Sequence, residues 1–368
     1  TDSMKLTLWQ TKNRGNLIPC SRHAVVVPIV SALLFSTPAA ATTDLPSLGA
    51  TLEELTVSGV SSGAYMAVQF QVAHSRLVRG SGIIAGGPYY CARGAAWRAL
   101  LQCMNPPSWT DAPSLTNLRA EAETLARDGR IDPLENLRDD RVWLLSGGKD
   151  RVVKSTVMER LALFFSEWLP PSAIRLIKVP EATHAMISVG DPQAKPCNSN
   201  ESPYINRCDD LDPAGEMLTH MLGRLQAPSD GTSGEMLRFD QTPFIDGKAI
   251  DASLADAAYV YVPHVCRVST CRIHIAFHGC RQSAANIGQR FVDGAGYNAW
   301  ADSNRLVVLY PQTVPRYGPA LGSWTWLNNP FACWDWWGYS GSGYHTRDGL
   351  QIKAVRAMIE KLTMPRQP

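Results

Sequence analysis

The 368-residue chain is 45% hydrophobic and 18% charged, enough apolar material for a large buried core and unlike a disordered or coiled-coil composition. Its formal net charge is +2 and it has no lysine-arginine cluster. That argues against a nucleic-acid partner, because phosphate binding needs a concentrated basic surface.

The first 41 residues read as a removable export signal. Lys5, Lys12, Arg14 and Arg22 precede an apolar run from Ala24 to Phe35, followed by Ser36-Thr37-Pro38-Ala39-Ala40-Ala41, the order of a signal peptide with small residues at its cleavage site. The apolar run is shorter than the roughly 18–20 residues of a membrane span, so no permanent span is expected. Residues 42–368 are then the mature chain, exported to the periplasm or the medium and expected to form a single domain.

Next comes Gly59-Val60-Ser61-Ser62-Gly63, between an apolar alternating run from Leu52 to Val57 and a helical run from Ala64 to His74. Strand, G-x-S-x-G turn and helix make a nucleophile elbow, in which the serine hydroxyl stands above the sheet. The turn is too tight for side chains at the two glycines. Ser61 is the candidate nucleophile, and the Ser62 amide is expected to point at the same spot. The bland alternative, an ordinary glycine-serine turn, lacks the flanking strand and helix.

The chain then reads as an open parallel α/β sheet. Gly80 to Gly87 is a short buried strand, residues 114–128 a helix and Arg141 to Leu145 a strand closed by Ser146-Gly147-Gly148-Lys149-Asp150. A helix from Ser155 to Leu169 leads to a strand from Ile174 to Val179, then to Glu181-Ala182-Thr183-His184. Asp150 and His184 each fall just past the carboxyl end of a strand, the edge where ligands and catalytic groups collect in such sheets. Taken alone, Asp150 could be a helix cap and His184 a loop histidine. Taken with Ser61, they follow the Ser, Asp, His chain order of the α/β-hydrolase triad.

After a helix from Asp212 to Leu225 and a polar stretch at 228–234, Glu235 to Phe239 and Ala258 to Val262 read as antiparallel strands. Arg272 to Phe277 reads as a buried strand ending in His278-Gly279-Cys280. A strand followed by His-Gly resembles the oxyanion-hole loop of esterases, which ordinarily precedes the serine strand. Here it follows by more than two hundred residues. A helix from Gly294 to Ser303, a strand from Leu306 to Tyr310 and a helix from Arg347 to Leu362 complete the pattern. The order is that of a circularly permuted α/β-hydrolase, with its mature ends close together.

Nine cysteines are present, and Cys20 lies in the signal. The other eight, Cys91, Cys103, Cys197, Cys208, Cys266, Cys271, Cys280 and Cys333, are an even set without C-x-x-C, which suggests four disulfides rather than a metal site. Eight cysteines allow about 105 pairings. Proximity favours Cys91 with Cys103, Cys197 with Cys208 and Cys266 with Cys271, leaving Cys280 for Cys333. Five of the eleven tryptophans fall within residues 324–337. A buried cluster is one reading, but the proline, glycine and asparagine around them favour a loop with exposed indoles and an apolar binding surface.

Gly59 to Ala67, Gly147-Gly148-Lys149-Asp150, Thr183-His184, Phe277-His278-Gly279-Cys280-Arg281-Gln282 and Asn329 to Tyr339 together resemble the single-domain, circularly permuted poly(3-hydroxybutyrate) depolymerases of the extracellular and periplasmic type. That resemblance implies hydrolysis of a polyester through an acyl-enzyme. Ser61, Asp150 and His184 would be the catalytic residues, the Ser62 and Cys280 amides the oxyanion hole, and Trp336 and Trp337 the walls of the polymer subsite. No metal or organic cofactor is called for. Many relatives carry a linker and a separate polymer-binding domain, whereas residues 42–368 read as the catalytic domain alone. A feruloyl or acetyl carbohydrate esterase and a secreted polymer-binding protein are the competing readings.

Overall fold

The computed structural model describes residues 42–108 and 111–366; the export signal read over residues 1–41 lies outside them. The eight strands expected from the sequence form one eight-stranded sheet: β1 (Leu55–Val60), β2 (Val78–Ile84), β3 (Arg141–Gly147), β4 (Ile174–Val179), β8 (Glu235–Asp240), β9 (Ala257–Val262), β10 (Arg272–Phe277) and β11 (Leu306–Tyr310). Between β4 and β8, three short strands, β5 (Met186–Ile187), β6 (Lys195–Pro196) and β7 (Ile205–Arg207), make a separate small sheet.

The order across the large sheet is β4-β3-β2-β1-β10-β11-β9-β8. The first six strands in that order are parallel and β9 runs antiparallel to both of its neighbours. Side chains alternate between two cores: Ile83, Leu144 and Leu309 enter one, while Ile84, Leu145 and Val308 enter the other. Helices α1 (Ser62–Ala73), α2 (Leu115–Arg127), α3 (Ser155–Phe165) and α6 (Leu350–Thr363) contribute to the first core. Helices α4 (Pro213–Leu222) and α5 (Tyr297–Asn304) contribute to the second. The result is the three-layer α/β-hydrolase architecture, with both faces of the sheet covered as a parallel sheet requires.

The first strand begins three residues later than the alternating pattern suggests. Glu53 and Glu54 form an exposed turn, with Glu54 at φ 59°, and β1 then runs wholly buried to Val60. The strand thus delivers Ser61 directly at its end. Register does the rest: Gly59 of β1 lies opposite Phe277 of β10, so His278-Gly279-Cys280 emerges beside Ser61. At the other end of the sheet, the Leu48 and Ala50 amides donate to the Leu362 carbonyl, each at 3.1 Å, and the Gly49 amide to that of Met364 at 2.9 Å. The segment leading into β1 is therefore tied to the end of α6.

Candidate active site

Ser61 occupies a strained backbone position, φ 56° and ψ −123°. Such a conformation in a non-glycine residue persists only where its surroundings impose it. The two glycines of the motif allow it. A Cβ on Gly59 would stand 2.3 Å from the Gly63 carbonyl carbon, and one on Gly63 would stand 2.3 Å from the Phe277 carbonyl oxygen. The turn is closed by the Ser61 amide donating to the Ile84 carbonyl at 2.9 Å.

The loops after β3 and β4 bring Asp150 and His184 to the same edge. His184 Nε2 lies 2.8 Å from Ser61 Oγ, and His184 Nδ1 lies 2.8 Å from Asp150 Oδ2. The other Asp150 oxygen accepts the Val152 and Val153 amides at 2.8 and 2.9 Å, so both aspartate oxygens are engaged and its orientation is set. The Asp150 carboxylate is almost wholly buried, while the imidazole keeps 16% of its surface. A protected carboxylate, an imidazole and an exposed hydroxyl in one hydrogen-bonded line can move a proton off the serine.

Ser62 opens α1, where first-turn amides have no intrahelical acceptor. Among the described residues neither its amide nor that of Cys280 has an internal acceptor, which leaves both available to an oxyanion. The Cys280 loop is heavily braced. The Gly279 amide donates to Gln282 Oε1 at 2.9 Å, and Gln282 Nε2 donates to the Pro203 and Tyr204 carbonyls. His278 is buried, which pushes its pKa down to about 4 against the opposing effect of the Gly279 carbonyl. A neutral ring then donates from Nδ1 to the Gly279 oxygen at 2.8 Å and accepts the Thr313 amide at Nε2.

All eight cysteines among the described residues are joined, as Cys91–Cys103, Cys197–Cys208, Cys266–Cys271 and Cys280–Cys333. Among the described residues no group of three or more His, Cys, Asp and Glu side chains could hold a metal ion. No helix there is long and apolar enough to cross a membrane.

The tryptophan run departs from the expected exposed surface. Trp334 is fully buried and Trp336 keeps 5% of its surface, whereas Trp324 is fully exposed and Trp326 is 66% exposed. The cause is Asp335. Its buried carboxylate accepts the amides of Trp337, Gly338, Tyr339 and Ser340 and the Ser340 hydroxyl. The backbone wraps around that anion and turns the indoles on either side inward. Trp334 packs edge-on against Phe277, with ring centroids 4.9 Å apart, and its amide donates to Ser62 Oγ. Trp336 stacks on Tyr65 of α1 at 4.0 Å, and the half-buried Trp337 stands edge-on to it.

Two clefts meet at Ser61. One, about 280 Å³, is apolar: Tyr65, Ala99, Leu100, Met104, Val153, Pro330, Phe331, Trp336 and Trp337 are among its walls. The other, about 420 Å³, holds His184 and is bounded by Val152, Asn200, Tyr204, Arg281, Gln282 and Phe331. Tyr65, Leu100, Met104, Phe331 and Arg281 escape the sequence reading as wall residues. The usable signal was the apolar Trp97, Leu100 and Leu101 inside the Cys91–Cys103 loop, all more than half exposed.

Fold and site define an α/β-hydrolase carrying a Ser–His–Asp constellation. The chain is 37% identical to a poly(3-hydroxybutyrate) depolymerase of Delftia acidovorans over 88% of its own length and 62% of that protein's. It is 34% identical to a polyhydroxybutyrate depolymerase of Talaromyces funiculosus over 88% of its own length and 93% of the other's. Among solved structures it resembles a PHB depolymerase from Penicillium funiculosum, with a TM-score of 0.79, and a serine-to-alanine PHB depolymerase complexed with an R3HB trimer, with a TM-score of 0.80. Both are 31% identical and match 88% of this chain and 100% of theirs. No family model matches. The chain belongs to the polyhydroxybutyrate depolymerases, a family of carboxylic ester hydrolases.

Proposed function

We propose that this chain hydrolyses ester bonds of poly(3-hydroxybutyrate) or a related short-chain polyhydroxyalkanoate, with Ser61 as nucleophile. The observation that carries the reading is the unbroken Ser61–His184–Asp150 line at an apolar cleft. The R3HB trimer complexed with the related depolymerase supports the substrate class.

His184 Nε2 takes the Ser61 proton as Oγ attacks the ester carbonyl, and Asp150 holds the imidazole with Nδ1–H toward its carboxylate. The Ser62 and Cys280 amides meet the tetrahedral oxyanion. They are already in place, so little reorganisation is spent at the moment of reaction. The leaving oxygen takes the proton from His184 Nε2. Water, deprotonated by the same nitrogen, then releases the acyl group from Ser61. Trp336 and Trp337 supply apolar area remote from the bond cleaved.

The same reading has residues 42–368 as one circularly permuted catalytic domain; the ties between the segment before β1 and the end of α6 support it. Four disulfides support an exported, oxidising location.

Substituting Ser61→Ala, His184→Ala or Asp150→Asn should leave folded protein with turnover lower by three or more orders of magnitude, the scale of losing a triad member. The check is release of hydroxyacids from amorphous polymer, beside aryl and sugar esters and with organophosphonate labelling of the wild type. A Ser61→Ala protein retaining over a tenth of the turnover sinks the assignment. Preference for sugar esters over polymer would move the chain to the carbohydrate esterases.

A further inference from the structure

We infer that Arg281 selects the anionic end of the substrate, its guanidinium pairing with the terminal carboxylate of a hydroxyacid oligomer whose leaving fragment occupies the 420 Å³ cleft. This rests on the ester-hydrolase reading above and adds a direction to it.

Three observations converge. First, Arg281 is the one permanently charged side chain among the residues lining either cleft, and it forms no ion pair among the described residues. Secondly, it is held. Its amide donates to the Phe331 carbonyl at 2.7 Å, and its guanidinium carbon lies 4.0 Å from the centre of the Phe331 ring. Stacking fixes the plane of a guanidinium while leaving its edge donors free for a carboxylate. Thirdly, it follows Cys280 directly, so the cation is built into the loop that carries a proposed oxyanion amide.

The chemistry of the reaction places a carboxylate in that cleft. His184 must protonate the leaving oxygen, so the alcohol fragment lies on the His184 side, and His184 lines the 420 Å³ cleft but not the apolar one. In a chain of hydroxyacid esters the acyl fragment ends in a hydroxyl and the alcohol fragment ends in a free carboxylate. During cleavage the ester C–O bond breaks, the acyl carbon bonds to Ser61 Oγ, and the alcohol oxygen takes the proton held by His184. The carboxylate of the departing fragment is untouched throughout. Arg281 therefore makes and breaks no bond, and acts as a specificity residue that favours esters near a carboxyl end over esters deep in a chain. A neutral, apolar cleft on the acyl side suits the uncharged remainder.

The test uses matched hydroxybutyrate dimers to tetramers, each as the free acid and as its methyl ester, which differ only in the terminal charge. The readout is the ratio of kcat/KM for acid over methyl ester within one protein, a quantity that loss of folded fraction does not move. In the wild type the ratio should be roughly fivefold for at least one length, the scale of a partly exposed charge pair, and should fall toward one at high salt. Arg281→Gln should bring it to about one, and Arg281→Lys should keep part of it. A wild-type ratio at or below one for every length overturns the inference, as does an Arg281→Gln protein with the wild-type ratio. If neither form of any oligomer is cleaved while a short aryl ester is, the polyester reading itself fails and this inference falls with it.

Discussion

Replacing both partners of the Cys280–Cys333 bond with serine separates a structural role from a chemical one, because the Cys280 amide belongs to the backbone and survives the substitution. The bond closes a loop with a sequence separation of 53. The chain-entropy relation gives a stabilisation of about 4 kcal/mol for a loop of that length. The effect on turnover should be smaller than complete loss of an oxyanion donor, which costs about 10²–10³-fold. Other restraints remain: the Gly279 amide on Gln282, the Gln282 side chain on Pro203 and Tyr204, His278 on Gly279, and the Arg281 amide on Phe331. With those intact the loop is loosened rather than lost, and a fall in kcat of about tenfold is expected. Urea denaturation gives the stability change, and aryl-ester turnover well below the midpoint gives kcat. If stability falls by several kcal/mol while kcat stays within twofold, the bond contributes to the fold alone and the coupling to the oxyanion amide is refuted.

Trp336→Ala removes both a stacked partner of Tyr65 and a cleft wall, so it should lower stability as well as polymer hydrolysis; Trp337→Ala, half-exposed, should raise KM on oligomers with a smaller change in denaturation midpoint. Equal losses on oligomer and short aryl ester for Trp337→Ala would remove it from the subsite. Acid should destabilise the fold through buried histidines. His274 is fully buried between Thr56 and Ser58, and burial pushes its pKa down to about 3. A histidine with a depressed folded pKa contributes stability above its unfolded value near 6.5, and loses it as pH falls toward the folded one. By pH 4.5 the loss should reach about 2–3 kcal/mol for His274, and the same for His278 with its pKa near 4. Denaturation midpoints from pH 7.5 to 4.5 should show a shallower slope for His274→Gln than for the wild type, and parallel curves would contradict this.

The parts of the fold legible in the sequence are those where one physical signal dominates. β10 and β11 lie where their runs lie, because a parallel strand covered on both faces is buried along nearly all its length and has few exposed positions to blur its ends. β4, at the sheet edge with Arg175 and Lys178 exposed, is bounded instead by Pro170, Pro171 and Pro180. The first strand is misplaced when alternation is taken as the signal, whereas β1 is buried at all six positions and its true start is marked by the turn at Glu53 and Glu54. Ser61, Asp150 and His184 are legible for a topological reason: each follows a parallel strand, and the carboxyl ends of neighbouring parallel strands share one edge. The apolar cleft is not. Its walls come from the 96–104 and 328–331 segments, and which loops fold over a sheet edge depends on contacts between segments far apart in the chain.

The tryptophan run shows why loop composition misleads. Burying an indole in a loop also buries the backbone around it, and each unpaired amide there costs free energy comparable to a lost hydrogen bond. That cost is the reason loops ordinarily leave such residues exposed. Asp335 offsets it locally, since one carboxylate satisfies four consecutive amides from Trp337 to Ser340 and the Ser340 hydroxyl. Burial raises the Asp335 pKa, and the hydrogen bonds from Ser340, Gly338 and Trp337 offset only part of that rise. The loop is tied on both sides as well, with the Asp335 amide donating to Gln351 and its carbonyl accepting from Gln69 of α1. An aspartate set among tryptophans, followed by glycine and serine, is thus the readable sign of an inward-folded loop. Where the run lacks such an anchor, at Trp324 and Trp326, the indoles stay in solvent.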